Sequence, residues 1–227
     1  MRCCQILSLG CQYRFYEMVR RESFPIILGG DHSITYPAVL GFAKAATRAN
    51  RSLRIGYLHI DHHFDYGDTT PLFGPDYHGT TAKRVHDLPE IEPRAMAFLG
   101  TGTRTSWQRW TTLQAAGIKT FSTADVEAEG IRAVTNRALD EISAHCDTIY
   151  VTIDIDVVDS CCAPGTGSIV WGGLTPIQML TCMAEIARYP VGAIDLVEVA
   201  PEFDPSQRTA ALAASLLTEF LLRKPWK

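Results

Sequence analysis

Short runs of apolar residues alternate with longer segments of helical periodicity along the whole chain. Most of the runs are continuously apolar, which is typical of strands buried on both faces of a parallel sheet. They predict six β-strands, at Pro25–Leu28, Leu53–Ile60, Ala95–Leu99, Ile118–Phe121, Thr148–Ile153 and Ala193–Val199.

The segments between these strands have the spacing of amphipathic helices. They predict helices at Pro37–Ala49, Trp107–Ala116, Ile131–His145, Thr175–Tyr189 and Arg208–Leu222. Ser106 and Thr175 are predicted N-cap residues, and Gly117 is a predicted helix stop. Such alternation indicates βαβ units, hence an α/β fold of three α-β-α layers around a mostly parallel sheet. Because no repeat, linker or shift in composition interrupts it, we expect residues 1–227 to form a single domain.

Composition narrows the class of protein. The 227 residues are 46% hydrophobic and 20% charged, which is ordinary globular usage and excludes a disordered or fibrous chain. The formal net charge is −4 and no basic block is present, so we expect neither nucleic acid nor an anionic membrane as partner. No apolar run reaches the ~18 residues that a membrane span requires.

The chain has seven cysteines, an odd number. A chain of this length does not need disulfides to stabilise its core, and no cleavable signal segment is recognisable, so we expect reduced thiols and a cytoplasmic location. Cys3, Cys4 and Cys11 are possible metal ligands by residue type. No second cluster of cysteine or histidine lies near them, and small packing residues are the favoured interpretation.

Polar residues follow the ends of four predicted strands. His32 lies in the segment after the first strand, Asp61–Asp65 follows the second, Asp154–Asp156 follows the fifth, and Glu198 lies near the end of the last. Open parallel sheets bind ligands beyond the carboxyl ends of their strands. We therefore expect these carboxylates and imidazoles to meet at one edge of the sheet.

The spacing of these residues favours a metal centre. Asp61, His63 and Asp65 are two residues apart, so in an extended chain their side chains would point the same way, and Asp154 and Asp156 repeat this spacing. So many carboxylates do not stay ionised together without cations, because like charges raise one another's pKa. A single aspartate at a strand end is usually a cap or loop residue. The predicted ligand set is His32, Asp61, His63, Asp65, Asp154 and Asp156.

Oxygen-rich ligands with a few imidazoles suit manganese above all, with nickel, cobalt, iron and zinc left open. Two divalent cations would balance the charges of the four aspartates, and paired cations generate a hydroxide nucleophile at neutral pH. The remaining histidines have ordinary interpretations. His59 lies inside a strand, and His86 and His145 lie at the surface or at helix ends. His62 would point to the opposite face from the ligands, where it would either support them from behind or pack against the core.

These motifs resemble those of the ureohydrolases, the family of arginase, agmatinase and guanidinobutyrase, from about Phe24 to the C-terminus. The later ones are closer to the agmatinase branch than to arginase. The matching runs are Leu28–Ser33, Asp61-x-His63-x-Asp65, Asp154-x-Asp156, Ala163–Gly167, Gly172–Thr175 and Asp195–Pro201.

The resemblance implies an arginase-like fold, a binuclear metal centre that commonly holds manganese, and a homo-oligomer, trimeric or hexameric. By this analogy one ion is held by His32, Asp61, Asp65 and Asp154, the other by His63 and Asp156, with Asp61 and Asp154 bridging. Glu198 corresponds to the carboxylate that receives the guanidinium group of a small guanidino substrate. His78, in Tyr77-His78-Gly79, corresponds to the histidine that protonates the leaving amine.

The implied reaction is an agmatinase-like hydrolysis. A metal-bridging hydroxide attacks the guanidinium carbon while Asp65 accepts a hydrogen bond from it, and urea and an amine are released. Two alternatives stay open. One is a related C–N hydrolase acting on a formimino or biguanide compound, and the other is a catalytically silent or truncated subunit.

The chain also departs from the family pattern. Few residues precede Gly29, so we expect the first strands of the family sheet to be absent and a sheet edge to be left unpaired. His62 stands where the family often has alanine, and Ser168–Trp171 replaces a Thr-Pro run. Trp171 would either pack in its loop, which is favoured, or offer its ring to a cation. These differences leave the substrate open and favour nickel more than the family pattern alone does.

Overall fold

The computed structural model describes residues 13–14, 16–17, 23–49, 53–102 and 106–226. All the predicted strands are confirmed, with ends shifted by a few residues. The strands are β1 (Ile26–Leu28), β2 (Ile55–Ile60), β3 (Ile91–Thr101), β4 (Lys119–Ser122), β5 (Thr148–Asp154) and β6 (Val191–Val197).

These strands form a six-stranded sheet in the order β1-β6-β5-β2-β3-β4, and every neighbouring pair is parallel. From β2 the chain continues outward to β3 and β4, whereas from β5 it continues in the other direction to β6. The strand order therefore reverses between β2 and β5, which are neighbours in the centre of the sheet. In open parallel sheets such a switch point forms a crevice at the carboxyl ends of the strands.

The predicted helices are also confirmed. The helices are α1 (Thr35–Ala49), α2 (Thr81–His86), α3 (Trp107–Ala115), α4 (Thr123–Glu129), α5 (Ile131–Ser143), α6 (Pro176–Ile186) and α7 (Arg208–Arg223). Thr175 caps α6 together with Gln178. Ser106 lies at the N-cap of α3 without a side-chain cap bond, and Gly117 follows that helix with φ of +84°. The short helices α2 and α4 were not predicted.

The three-layer prediction is confirmed by two apolar clusters, one on each face of the sheet. Helices α4 to α7 pack on one face, against side chains such as Leu58 and Ile153. Helices α1 to α3 pack on the other face, against side chains such as Tyr57 and Phe98. Since Tyr57 and Leu58 are consecutive residues of β2, this strand is buried on both faces, as its continuous apolar sequence indicates.

The close packing of β2 against α5 depends on Gly56. A β-carbon there would lie 2.4 Å from Ile142 Cγ2 and 2.7 Å from Cys146 Sγ. We expect Gly56→Ala to lower the free energy of unfolding by about 1–3 kcal/mol in urea titrations, because an overpacked core must shift. Gly167→Ala is the matched control, since no described atom lies within 4 Å of its added carbon. Equal effects of the two changes would contradict this account.

In the described part of the chain, no helix has the length and apolar character needed to cross a membrane. Among the described cysteines, Cys146, Cys161, Cys162 and Cys182 are free thiols. Cys3, Cys4 and Cys11 lie outside the described residues.

Candidate metal centre

The segment after β2 carries Asp61 into the switch-point crevice. The backbone N–H of Asp61 donates to Leu99 O at 3.1 Å, which holds this residue beside β3. Beyond it the chain bends away from the sheet, and Asp65 adopts a left-handed φ of 41°. The expectation that an extended chain aligns Asp61, His63 and Asp65 is therefore wrong, because the strand ends at Ile60 and a bend gathers these side chains.

The segment after β5 turns in a similar way. Asp154 is the last residue of β5, and Asp156 lies in a single 3-10 turn at Ile155–Val157. One oxygen of Asp154, Oδ1, accepts a 2.9 Å hydrogen bond from the N–H of Asp156. This bond caps the turn and leaves Oδ2 of Asp154 to the centre of the crevice.

His32 is the residue around which the first group of ligand atoms assembles. It is fully buried, and its Nδ1 lies 3.2 Å from Asp61 Oδ2, 3.1 Å from Asp65 Oδ2 and 3.2 Å from Asp154 Oδ2. Despite these distances, Nδ1 takes part in no hydrogen bond. Neighbouring ligand atoms of one octahedral ion with bonds of about 2.1 Å lie about 3 Å apart. The donor set and its spacing therefore fit a shared divalent cation.

A second group shares Asp61 with the first. The Nδ1 atom of His63 lies 3.1 Å from Asp156 Oδ2 and 3.5 Å from Asp61 Oδ1. Asp156 Oδ1 is buried without a hydrogen-bond partner in the described structure. Asp61 thus presents one oxygen to each group, which is the arrangement of a carboxylate between two cations. All six residues of the predicted ligand set lie in these two groups.

The electrostatics of the first group also favour a bound cation, because three carboxylates crowd around one imidazole. Burial alone would lower the pKa of His32, but three surrounding carboxylates raise it well above its ordinary value. Burial and the charges of Asp156 and Asp61 raise the pKa of Asp154 well above its usual range. Burial would also raise the pKa of Asp61, but the neighbouring imidazoles of His32, His59 and His63 lower it well below that range.

The second group behaves in the same way. Hydrogen bonds of His63 with Asp156 and Asp61 raise the pKa of this imidazole to about 11. Burial, followed by repulsion from Asp61, raises the pKa of Asp156 to about 7. In both groups, a divalent cation would compensate the carboxylates that raise the pKa of the imidazole beside them.

His59 contributes to the centre in a way that sequence reasoning missed. It lies in β2 as expected, but its Nε2 is 2.9 Å from Asp61 Oδ2 and its Nδ1 is 2.9 Å from the hydroxyl of Tyr57. Its ring also stacks on that of His32 with centroids 4.8 Å apart. It fixes the orientation of Asp61. The two-residue spacing of His59, Asp61 and His63 was the available signal.

Glu198 lies beside the ligand groups, directly after β6, with a left-handed φ of 64°. Its N–H donates to Gly30 O at 2.9 Å, and its Oε1 accepts a 2.7 Å bond from the N–H of His32. Burial raises the pKa of this carboxyl, and the charges of His32 and His78 oppose that shift. Oε2 makes no hydrogen bond within the described chain, so this oxygen remains for a ligand.

His78 begins a 3-10 turn at His78–Thr80 and is exposed. Its ring contacts those of Tyr77 and Phe73, with centroids 5.3 Å and 6.2 Å away. The hydroxyl of Thr81 donates to His32 O at 2.9 Å, which ties this segment to the first ligand group. His78 therefore lies on the same side of the molecule as the ligands and Glu198.

Three further residues named in the sequence analysis, His62, His86 and Trp171, lie outside the two ligand groups. His62 is buried and lies against Gly102, consistent with a packing role. His86 ends α2 and bonds to the hydroxyl of Tyr66. Trp171 is 61% exposed, so the favoured interpretation as a loop-packing residue is wrong.

Comparison with known proteins gives consistent matches to a family model, to two relatives and to a solved structure. The model of the arginase family matches residues 10–223. The human mitochondrial guanidino acid hydrolase is 32% identical over 215 residues, and the agmatinase of Bacillus subtilis is 31% identical over 213 residues. The crystal structure of the formimidoylglutamase of Bacillus subtilis superposes with a TM-score of 0.85 at 26% identity.

These matches cover nearly all of this chain but only part of the other proteins. The match to the human protein covers 94% of this chain and 58% of that protein. The match to the agmatinase covers 91% of this chain and 66% of the agmatinase, and the superposition on the formimidoylglutamase covers 95% of this chain and 67% of that one. The chain therefore spans less than two thirds of the length of the human guanidino acid hydrolase and of the agmatinase, and about two thirds of the formimidoylglutamase.

Proposed function

The chain belongs to the arginase family, and from this premise we propose that it is a metal-dependent amidinohydrolase that converts a small guanidino compound to urea and an amine. The observation that carries the proposal is the placement of His32 Nδ1 against three carboxylate oxygens without a hydrogen bond. We propose that His32, Asp61, Asp65 and Asp154 hold one ion and that His63, Asp156 and Asp61 hold a second. Bound there, two divalent cations supply a water-derived nucleophile at neutral pH.

Ligand chemistry favours manganese, because carboxylates outnumber imidazoles among the proposed ligands of each ion. Nickel is the alternative to be tested beside it. In line with the expectations from the sequence, we also propose that the enzyme acts in the cytoplasm as an assembly of identical subunits.

The chain's own residues then have distinct tasks. Glu198 binds the planar guanidinium through its charge, since paired N–H donors fit a carboxylate. Asp65 accepts a hydrogen bond from the attacking water-derived oxygen and orients it. As the C–N bond breaks, His78 gives a proton to the departing nitrogen, so one water is consumed and the amine leaves protonated.

The test is urea release by protein loaded with Mn²⁺ or Ni²⁺, with guanidino acids, guanidino amines and free guanidine as substrates. We expect urea from at least one of them, and its loss after removal of the metal by a chelator. Folded protein that holds two equivalents of metal but releases no urea would contradict the proposal. Formamide released only from a formimino compound would instead support the related C–N hydrolase.

A further inference from the structure

Asp195 is a fully buried carboxylate, and its hydrogen bonds within the described residues go to the hydroxyls of Tyr150 and Thr152 rather than to a proposed metal ligand. It lies on β6, and the parallel register places it beside Thr152 of β5, two residues before Asp154. The hydroxyl of Thr152 donates to Asp195 Oδ1, and the hydroxyl of Tyr150 donates to Asp195 Oδ2 at 2.6 Å. Both carboxylate oxygens are therefore acceptors for hydroxyl groups from the neighbouring strand.

Thr152 connects Asp195 to the first ligand group. Its Oγ1 lies 2.9 Å from His32 Nε2. A hydroxyl has a single proton to donate, and here that proton is given to Asp195. The contact with His32 can then form in only one direction, in which His32 Nε2–H donates and Thr152 Oγ1 accepts.

A neutral imidazole carries one N–H, so a proton fixed on Nε2 leaves a lone pair on Nδ1. Nδ1 is the atom that faces the carboxylates of Asp61, Asp65 and Asp154. If Nδ1 also carries a proton while no metal is bound, that proton is the one a cation displaces, because the other remains bonded to Thr152.

We propose that Asp195 is a positioning residue that acts through Thr152 to hold His32 in the tautomer that binds a divalent cation at Nδ1. The inference rests on the proposed function only in treating His32 as a ligand. Hydrogen bonds to the distal nitrogen of a ligand histidine generally fix its tautomer and strengthen the metal site.

Asp195→Asn gives a specific expectation, since an amide both donates and accepts. With its oxygen toward Tyr150 and its nitrogen toward Thr152, every hydroxyl keeps a partner. Thr152 would then accept from the amide and donate to His32 Nε2. That nitrogen becomes an acceptor, the proton moves to Nδ1, and the metal position is blocked.

The experiment measures Mn²⁺ affinity of the metal-depleted full chain by isothermal titration, separately for each of the two binding events. We expect Asp195→Asn to weaken one event about tenfold to a hundredfold and to leave the event at His63 and Asp156 unchanged. Thr152→Val removes the relay without imposing the wrong tautomer, so we expect a smaller loss. Thr152→Ser keeps the hydroxyl and should bind as the wild type does.

The ¹⁵N shifts of the His32 ring in the Zn²⁺-loaded wild type provide a second readout, with the N–H expected on Nε2. Wild-type affinity in both Asp195→Asn and Thr152→Val, or equal losses in Thr152→Val and Thr152→Ser, would overturn the inference. If Asp195→Asn does not fold, the valine and serine pair decides. A wild type that binds both ions without releasing urea would contradict only the proposed function, whereas an active enzyme with unchanged affinity in these variants would contradict only this inference.

Discussion

Asp154→Asn is expected to lose activity and one of the two metal ions together. Asparagine keeps an oxygen to accept the N–H bond of Asp156, so the turn after β5 stays capped. What disappears is the anionic oxygen 3.2 Å from His32 Nδ1. We expect affinity for the first ion to fall by more than about a hundredfold, since loss of outer-sphere contacts alone costs 10–100-fold. Urea release should become undetectable.

The same change should have opposite effects on stability with and without metal. Burial and neighbouring charges hold the pKa of Asp154 well above its ordinary value, so the ionised carboxylate destabilises the metal-free fold as the pH rises through the unfolded-state pKa. At neutral pH, metal-free Asp154→Asn should therefore unfold at a higher temperature than metal-free wild type. With metal the order should reverse, because ligand at a hundred times its Kd stabilises by about 2.7 kcal/mol.

Asp159→Asn is the control for this pair of measurements. Asp159 lies in the same loop and accepts bonds from the N–H groups of Cys161 and Gly172, but it belongs to neither ligand group. It should retain both ions and the activity. Full metal affinity in Asp154→Asn would remove this residue from the ligand set.

The sheet could be predicted from sequence because its central strands are buried on both faces. Such strands are continuous apolar runs, so β2 and β5 can be recognised in the sequence without knowledge of the strands beside them. Helix α4 was missed because it is short, although Ser122 and Asp125 form a capping box at its start. A capping box predicts a helix only where the residues after it are numerous enough to show helical periodicity.

The ligand residues could be identified from sequence, but the reason given for their convergence was wrong. Period-two alternation requires an extended chain, and the chain bends directly after β2. The bend depends on Asp61 bonding to Leu99, a residue of another strand, and on a left-handed Asp65. Neither is visible in the local sequence. The relay through Thr152 and Asp195 likewise depends on the register of β5 and β6.

Glu198→Gln is expected to separate metal binding from catalysis. Glutamine has the same shape, and its oxygen can still accept the 2.7 Å bond from the N–H of His32. An unbranched side chain adds no new strain at φ of 64°. The negative charge that would pair with a guanidinium is lost. We expect two bound metal ions as in the wild type, and a fall in kcat/KM of about a hundredfold to a thousandfold, or about 3–4 kcal/mol.

Glu202→Gln, an exposed carboxylate four residues later, is the matched control and should leave both quantities unchanged. Metal content by elemental analysis and urea release must be measured on the same samples. Loss of an ion in Glu198→Gln would make Glu198 a ligand rather than a substrate-binding residue. Unchanged kcat/KM would place the guanidinium elsewhere in the crevice. Glu198 contacts the first ligand group through the backbone N–H of His32, not through a ligand atom. The predicted separation of the two effects therefore tests which carboxylates of the crevice bind the cations and which one binds the substrate.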